Sequence, residues 1–367
     1  MAEQRPAALA AYWGESYFPA LDGVRAICIL LVMFNHVHEP VPLGLQGRIG
    51  VDIFFVLSGF LITTLLLRER ERHGNISLKG FYTRRFFRIV PVYALLVVIY
   101  LGIVLVTHDA VRWREFKGGL PYLVTFMQEY RPATTGVLLG HAWSLGIEEK
   151  FYLVWPLLIA ALFPFRRRSI ALTVVLGIGI LFLPPLLTRS YGGLLLGALL
   201  GIVLAKSSSA SLHGLLLRVP TGMACGLVGI GYLGMTLYGL SVLFFSACVT
   251  LLIGTLVLRR SWLRSLLEGR WIVTCGKRSY AMYLIHVLAI DAVERIGART
   301  GGLRWYVVIP VAYALSFLGA TAIFYAVERP CVKYGRKVAR GMRESLTKRL
   351  PVGVGLAGDV EAIRDPI

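Results

Sequence analysis

The chain carries ionisable residues inside long apolar segments, and these residues are the first candidates for chemistry. Asp22 and Arg25 begin the first apolar segment, and Asn35 and His36 lie near its far end. An ionisable side chain inside a membrane span costs at least about 2.5 kcal/mol, so it usually faces a cavity or a partner. The first segment therefore indicates a functional cavity within the membrane.

Arg25 and His36 are eleven positions apart in the sequence. On a continuous α-helix this spacing is about three turns, so both side chains face the same way, roughly 16 Å apart along the axis. With the N-terminus inside, Arg25 lies near the cytoplasmic surface and His36 lies toward the outer half. A cation and an imidazole at different depths suit a long ligand that is anionic at its inner end.

The elements that position these residues are predicted from composition and apolar runs. Of 367 residues, 56% are hydrophobic and 16% are charged, and the mean hydropathy is +0.69. A soluble domain has about 25% charged residues, and about 20 apolar residues cross a hydrocarbon layer of about 30 Å. We therefore predict an all-α polytopic membrane protein with about ten transmembrane helices. The predicted spans are 20–39, 49–67, 90–107, 144–164, 169–187, 190–205, 221–239, 241–258, 273–291 and 305–327.

Basic residues give these spans an orientation. One set of alternate connections, together with the start of the ninth span, holds 18 Lys and Arg residues, and the other set holds nine. Because cytoplasmic connections are enriched in Lys and Arg, both termini are predicted to be cytoplasmic. The outer layer then contains the acid–base groups Asp52, Ser144, Glu148 and His286. The inner layer contains the arginine-rich run 82–88, close to the Arg25 end.

The same pattern divides the chain and excludes some classes of partner. We expect a cytoplasmic segment 1–18, a transmembrane domain 19–336 and a basic, mobile cytoplasmic tail 337–367. The net charge of +19 lies in short clusters between apolar runs and in the tail. Topology and anionic membrane lipid explain these clusters, so we expect no nucleic-acid partner. The five cysteines form no CxxC pair, so neither a disulfide framework nor a metal site is expected.

Each polar residue also fits a purely structural interpretation. Asp22 and Arg25 fit an interfacial ion pair, and Asp52 fits the favoured negative charge at a helix N-terminus. His36 and His286 fit polar contacts between packed helices. The arginines in 82–88 fit topology determinants alone. The functional interpretation depends on these residues occurring together.

Taken together, the chain from about Pro19 to Arg336 resembles the membrane acyltransferases called acyltransferase family 3. Six motifs of that family occur here in order. They lie at 21–25 with His36, 50–63, 81–91, 143–152, 279–286 and 328–330.

The resemblance implies transfer of an acyl group, often acetyl, from cytoplasmic acyl-CoA to a hydroxyl, in a bacterial-type inner membrane. Expected acceptors are sugars of surface polysaccharide, lipopolysaccharide, peptidoglycan or a small glycoside. Acyl-CoA is then a donor substrate, and no permanently bound cofactor is expected. Some relatives carry an additional SGNH-type domain. Too little chain follows the tenth span for one, which counts against acceptors whose modification relies on such a domain, particularly peptidoglycan.

The reaction assigns roles to the outer residues. Attack of an alcohol on a thioester needs a base, and neutral imidazole suits that role, so we expect His36 to be the base. Asp52 or Glu148 is expected to orient it, and the sequence does not decide between them. Ser144, Asn35 or a backbone N–H is expected to stabilise the oxyanion.

The inner residues are expected to bind the donor. Coenzyme A carries phosphates far from its thioester, and arginine binds phosphate in a bidentate manner. The expected phosphate ligands are Arg25, Arg84, Arg85 and Arg88.

Further outer residues are expected to contact the acceptor: Asn35, Trp143, Tyr283 and His286. Cys28 as an acyl-enzyme nucleophile is a minor alternative. A different class of protein is also open, namely a transporter or flippase of a glycan or lipid-linked sugar. It would use His36, Glu148 and His286 as a proton relay, although the sequence lacks the paired halves common in transporters.

Overall fold

The computed structural model describes residues 7–15, 17–38, 47–132, 139–162, 166–205, 214, 216–239, 241–299 and 301–347. Every regular element in these ranges is helical, which confirms the all-α fold class. The α-helices are α1 (Ala7–Gly14), α2 (Pro19–Phe34), α3 (Arg48–His73), α4 (Leu78–Thr107), α5 (Ala110–Val124), α6 (Trp143–Leu162), α7 (Arg166–Gly179), α8 (Pro185–Leu204), α9 (Thr221–Tyr238), α10 (Val242–Leu258), α11 (Trp262–Leu267), α12 (Arg270–Lys277), α13 (Ser279–Ala298), α14 (Trp305–Ile323) and α15 (Arg329–Thr347).

Several helices are those of a membrane protein. Among the described residues, α3, α4, α8, α9 and the continuous stretch Trp305–Glu344 are long and apolar enough to cross a membrane. That stretch joins α14 to α15 through a π-helical turn at Phe324–Glu328. Each of the ten predicted spans overlaps a helix, while the number of helices that cross the membrane stays a prediction.

Two helix boundaries differ from the predicted ones, and polar residues determine both. Helix α2 ends at Phe34 with Asn35 as its C-cap, so His36 lies in the following turn. The calculation that put Arg25 and His36 on one continuous helix face therefore does not apply. Helix α4 begins at Leu78 because the Ser77 hydroxyl accepts the backbone N–H of Gly80. The arginine run 82–88, predicted as a connection, is therefore helical.

Helices α3 and α8 pack closely through glycines. A Cβ placed on Gly197 would lie 2.0 Å from the carbonyl oxygen of Val56, and one on Gly59 would lie 1.9 Å from that of Leu194. Small residues at a membrane helix contact let the two backbones approach. This contact fixes α3, which carries Asp52 and Ser58 toward the centre of the molecule.

Adding a methyl group at this contact is expected to destabilise the protein. Gly197→Ala forces the α3 and α8 backbones apart, so we expect a loss of at least about 1–3 kcal/mol, as for an overpacked core. Gly226→Ala on α9 is the matched control, because a Cβ there meets nothing within 4 Å. Thermal unfolding in detergent measures both, and equal midpoints would contradict the close contact.

Both ends of the described chain are attached to the helical bundle. Arg68, which is buried on α3, donates to the carbonyl oxygens of Tyr12 and Glu15, each at 2.6 Å. Segment 1–18 thus contains a helix packed against the transmembrane part. At the other end α15 packs on α4, with the rings of Tyr334 and Phe87 5.2 Å apart. The predicted tail is therefore helical through Thr347, and its later residues lie outside the described ranges.

Candidate active site

A cavity lies among α2, α3, α4, α6, α12 and α13. Its lining includes four cationic side chains, here called the cationic part, together with several hydroxyl groups and the carboxyl group of Glu148. Six residues singled out from the sequence line it: Arg25, Arg85, Arg88, Ser144, Glu148 and Tyr283. With Ser58 and its neighbours on α3, the cavity brings together side chains from five of the six sequence motifs.

The cationic part contains one residue that the sequence analysis did not select. Lys277 ends α12 and lines the cavity with the arginines. Its neighbour Gly276 makes this possible, since a Cβ there would lie 1.8 Å from the carbonyl oxygen of Asp22. Helix α12 is therefore pressed against α2 beside Arg25, which is itself 2.8 Å from Asp22. In the sequence, Lys277 was counted only as a topology determinant.

Arg84, one of the expected phosphate ligands, lies outside the cavity lining. Its Nη2 lies 2.9 Å from Glu69 Oε2. Arg85 lies 100° further around the helix, with its guanidinium 5.1 Å from the centre of the Tyr152 ring. The helical start of α4 therefore directs neighbouring arginines to different sides.

Glu148 is held at the cavity wall by two hydroxyl groups. Ser58 Oγ donates to Glu148 Oε1 at 2.6 Å, and Tyr152 OH donates to Oε2 at 3.2 Å. The two hydroxyl oxygens are also 2.9 Å apart. Neither Ser58 nor Tyr152 was selected from the sequence, although Tyr152 follows Glu148 by one helical turn. Glu148 is therefore a wall residue of the cavity with partners other than His36.

Asp52 also has a partner other than His36. Arg189 binds it in a bidentate manner, with Nε 2.5 Å from Oδ1 and Nη2 on Oδ2. Arg189 had been counted in a connection between spans, but it lies on α8, which packs along α3. Asp52 or Glu148 was expected to orient His36, whereas in the structure each carboxylate binds other side chains.

His36 instead belongs to a cluster of three histidines. Its Nδ1 lies 2.9 Å from the carbonyl oxygen of Val32 and 3.3 Å from His286 Nε2. The ring centres of His36 and His286 are 4.8 Å apart, and that of His141 lies 5.2 Å from His286. His141 was missed because it precedes the predicted start of its span. Among the described residues, no group of three or more potential ligands has a geometry suited to a metal ion.

Tyr283 separates the cavity from the histidine cluster. Its hydroxyl donates to the carbonyl oxygen of His141 at 2.5 Å, so it must accept the proton of the Ser144 hydroxyl, 2.6 Å away. Its backbone carbonyl oxygen lies 2.6 Å from His286 Nδ1. One residue therefore connects the cavity wall to two of the three histidines.

The remaining residues expected to contact the acceptor lie outside the cavity. Asn35 is exposed in the turn that carries His36, and His286 is fully buried. Trp143 packs against Phe55, with ring centres 6.1 Å apart. The structure thus places Asn35 and His286 beside His36, whereas Trp143 has packing contacts.

These observations define a membrane protein with a cationic cavity next to a histidine cluster. Residues 18–329 match a family described as "Acyltransferase domain", so the chain belongs to that family. The resemblance seen in the motifs is confirmed.

Curated relatives include three O-acetyltransferases. The peptidoglycan O-acetyltransferase OatA of Listeria monocytogenes is 28% identical over 397 residues, covering 96% of this chain and 62% of the relative. A putative O-acetyltransferase of Staphylococcus aureus is 29% identical, covering 88% and 58%. The O-acetyltransferase OatA of Staphylococcus aureus is 28% identical, covering 89% and 59%. The chain spans about three fifths of the length of these relatives. No solved structure matches the chain.

Proposed function

We propose that the chain is a membrane O-acyltransferase that moves an acyl group from acyl-CoA to a sugar hydroxyl of a surface polysaccharide, glycolipid or related glycoside. The observation that carries this proposal is the cavity, which has a cationic part and a wall at Ser144 and Tyr283 that contacts the histidine cluster. The names of the relatives support acetyl as the acyl group.

The donor would occupy the cavity with its phosphates at the cationic part. Four side chains are available for them: Arg25, Arg85, Arg88 and Lys277. Guanidinium groups bind phosphate oxygens through paired, charge-assisted hydrogen bonds. The pantetheine arm would then extend toward Ser144 and Tyr283, which bring the thioester close to the histidines.

His36 would act as the base through Nε2. Its Nδ1 faces the carbonyl oxygen of Val32, which only accepts, so Nδ1 carries the ring proton and Nε2 keeps the lone pair. As the hydroxyl oxygen forms a bond to the thioester carbon, its proton moves to Nε2. The C–S bond then breaks, and the proton passes to the sulfur of the leaving thiolate. His36 is half-buried beside exposed Asn35, which gives a hydroxyl acceptor a route to it.

The proposed topology gives the two substrates separate sides. Ten spans with both termini cytoplasmic would open the cationic part of the cavity toward cytoplasmic acyl-CoA, in a bacterial-type plasma membrane. The bias of basic residues between alternate connections supports this orientation. A fluorescent protein fused after Ile367 should fluoresce, whereas alkaline phosphatase at the same place should be inactive, and the reverse result would contradict the orientation.

Peptidoglycan belongs with the other candidate acceptors, because one relative is named a peptidoglycan O-acetyltransferase. Purified protein in lipid nanodiscs, given radiolabelled acetyl-CoA and a panel of muropeptides and oligosaccharides, tests the proposal. We expect label in an alkali-labile ester on one acceptor class. Glycan movement across proteoliposomes without ester formation would favour the transporter alternative and contradict the proposal.

Neutralising the cavity arginines is expected to weaken donor binding. Arg85→Gln or Arg88→Gln should each raise the KM for acetyl-CoA by about 10- to 100-fold, the size of a lost charge-assisted hydrogen bond. The increase should be smaller at high salt, which already screens the phosphates. Steady-state kinetics at two ionic strengths measures both effects.

Arg84→Gln is the matched control, since Arg84 is on the same helix but pairs with Glu69. We expect its KM for acetyl-CoA to stay within about twofold of the wild type, because Arg84 is not among the residues that line the cavity. Equal effects of the three substitutions would contradict the assignment of the cavity to the donor.

A further inference from the structure

The hydrogen bonds around His286 fix which of its nitrogens has a lone pair. Nδ1 lies 2.6 Å from the carbonyl oxygen of Tyr283. A carbonyl oxygen only accepts, so Nδ1 carries the proton and Nε2 of the neutral ring is an acceptor. That acceptor lies 3.3 Å from His36 Nδ1. His286 is fully buried, so water does not compete with His36 for its Nε2.

The same reasoning applies to the other ring. His36 Nδ1 carries a proton because it faces the carbonyl oxygen of Val32 at 2.9 Å. This N–H therefore has two acceptors, the Val32 carbonyl oxygen on α2 and His286 Nε2 on α13. With Val32 as the single acceptor, the His36 ring would be held only by the chain segment that carries it. The contact from α13 fixes the ring relative to the wall of the cavity.

From this geometry we propose that His286 is a positioning residue, which accepts the Nδ1–H of His36 and so directs His36 Nε2 to the acceptor hydroxyl. The inference rests on the proposed function. His286 then has the orienting role that was expected of Asp52 or Glu148. When His36 takes up the proton, its Nδ1–H becomes a stronger donor to the same two acceptors. His286 thus stabilises the charged form of His36 without a negative charge.

His141 does not share this positioning role. Its Nε2 lies 3.2 Å from the carbonyl oxygen of Leu284, so that nitrogen carries the proton. The ring centres of His141 and His36 are 6.3 Å apart, compared with 4.8 Å for His286 and His36. The Tyr283 hydroxyl donates to the His141 backbone, and the Tyr283 backbone accepts from His286. His141 therefore supports Tyr283, while His286 contacts the base itself.

Two substitutions separate an acceptor role from simple packing. His286→Gln can place an amide oxygen near the position of Nε2, whereas His286→Leu fills the space without an acceptor. We expect His286→Leu to lower kcat about tenfold or more, the size of one lost hydrogen bond to a charged group. The KM for acetyl-CoA should stay unchanged, and His286→Gln should recover most of kcat. His73→Gln, at the exposed end of α3, is the control.

Two kinetic results would overturn the inference. One is a wild-type kcat in His286→Leu, and the other is an equal loss of kcat in the Leu and Gln variants with unchanged folding. An inactive wild type would instead contradict the proposed function, so a measurement that does not use activity is also needed.

That measurement is the tautomer of His36 in protein labelled with ¹⁵N-histidine in detergent. Long-range ¹⁵N–¹H correlation spectra distinguish Nδ1–H from Nε2–H rings, and the signal missing in His36→Gln identifies residue 36. We expect Nδ1–H in the wild type and in both variants, because Val32 still accepts that proton. The His36 Nδ1–H signal should shift in His286→Leu and return toward its wild-type position in His286→Gln. An Nε2–H ring in the wild type, or an unchanged signal in His286→Leu, would overturn the inference whatever the activity.

Discussion

Replacing His36 with glutamine is expected to lower kcat for acyl transfer by about 10²- to 10⁴-fold, the usual contribution of a general base. The amide cannot take the hydroxyl proton, so the C–O bond must form without base assistance. The KM for acetyl-CoA should change little, because the cationic part of the cavity is intact. Transfer of labelled acetyl to the acceptor, measured at saturating donor, gives kcat for the variant.

Two controls belong with this substitution. His38→Gln removes a nearby imidazole that contacts Glu294 at 2.5 Å and is exposed, so we expect kcat to be retained. Cys28→Ala removes the minor alternative nucleophile, which is buried, and should also leave transfer in place. Wild-type kcat in His36→Gln, or loss of transfer only in Cys28→Ala, would disprove the assignment of the base.

Breaking the ion pair between Asp52 and Arg189 is expected to have the largest effect on stability. Asp52 is 1% exposed. Asp52→Asn therefore leaves the Arg189 guanidinium beside a buried neutral amide, without its counter-charge. Removing one partner of a buried ion pair destabilises by about 3–5 kcal/mol. We expect a lower midpoint of thermal unfolding in detergent, with nearly unchanged kcat per folded molecule.

A double variant and a surface variant control for other causes. Asp52→Asn combined with Arg189→Met should recover part of the lost stability, because no unpaired charge remains. Asp291→Asn removes an exposed carboxylate 3.3 Å from Arg295 and should change the free energy of unfolding by about 1 kcal/mol or less. If the double variant is no more stable than Asp52→Asn, the ion pair does not explain the effect.

Helices and the membrane class could be predicted from the sequence because apolar length is a local property. The limits of α2 and α4 could not, because polar caps and polar turns decide them. Ser77 begins α4 through one hydroxyl, and Asn35 ends α2 before His36. A hydropathy window averages over such single residues.

The membership of the site could be predicted in part, but its pairings could not. Arg85, Glu148 and Tyr283 were selected by type and motif, and all three line the cavity. The partner of Asp52 is 137 positions away in the chain, and that of His36 is 250 positions away. Such contacts follow from the packing of distant helices. Periodicity within one helix carries no information about them.

The central claim is that acyl-CoA lies in the cavity with its phosphates at the cationic part and its thioester toward the histidines. A cryo-EM structure of the protein in nanodiscs with a non-transferable acetyl-CoA analogue tests it most directly. We predict phosphate density at Arg85, Arg88 and Lys277, with the acyl end beside Ser144 and Tyr283. Density for the analogue outside this cavity, or with its nucleotide beside His36, would contradict the account.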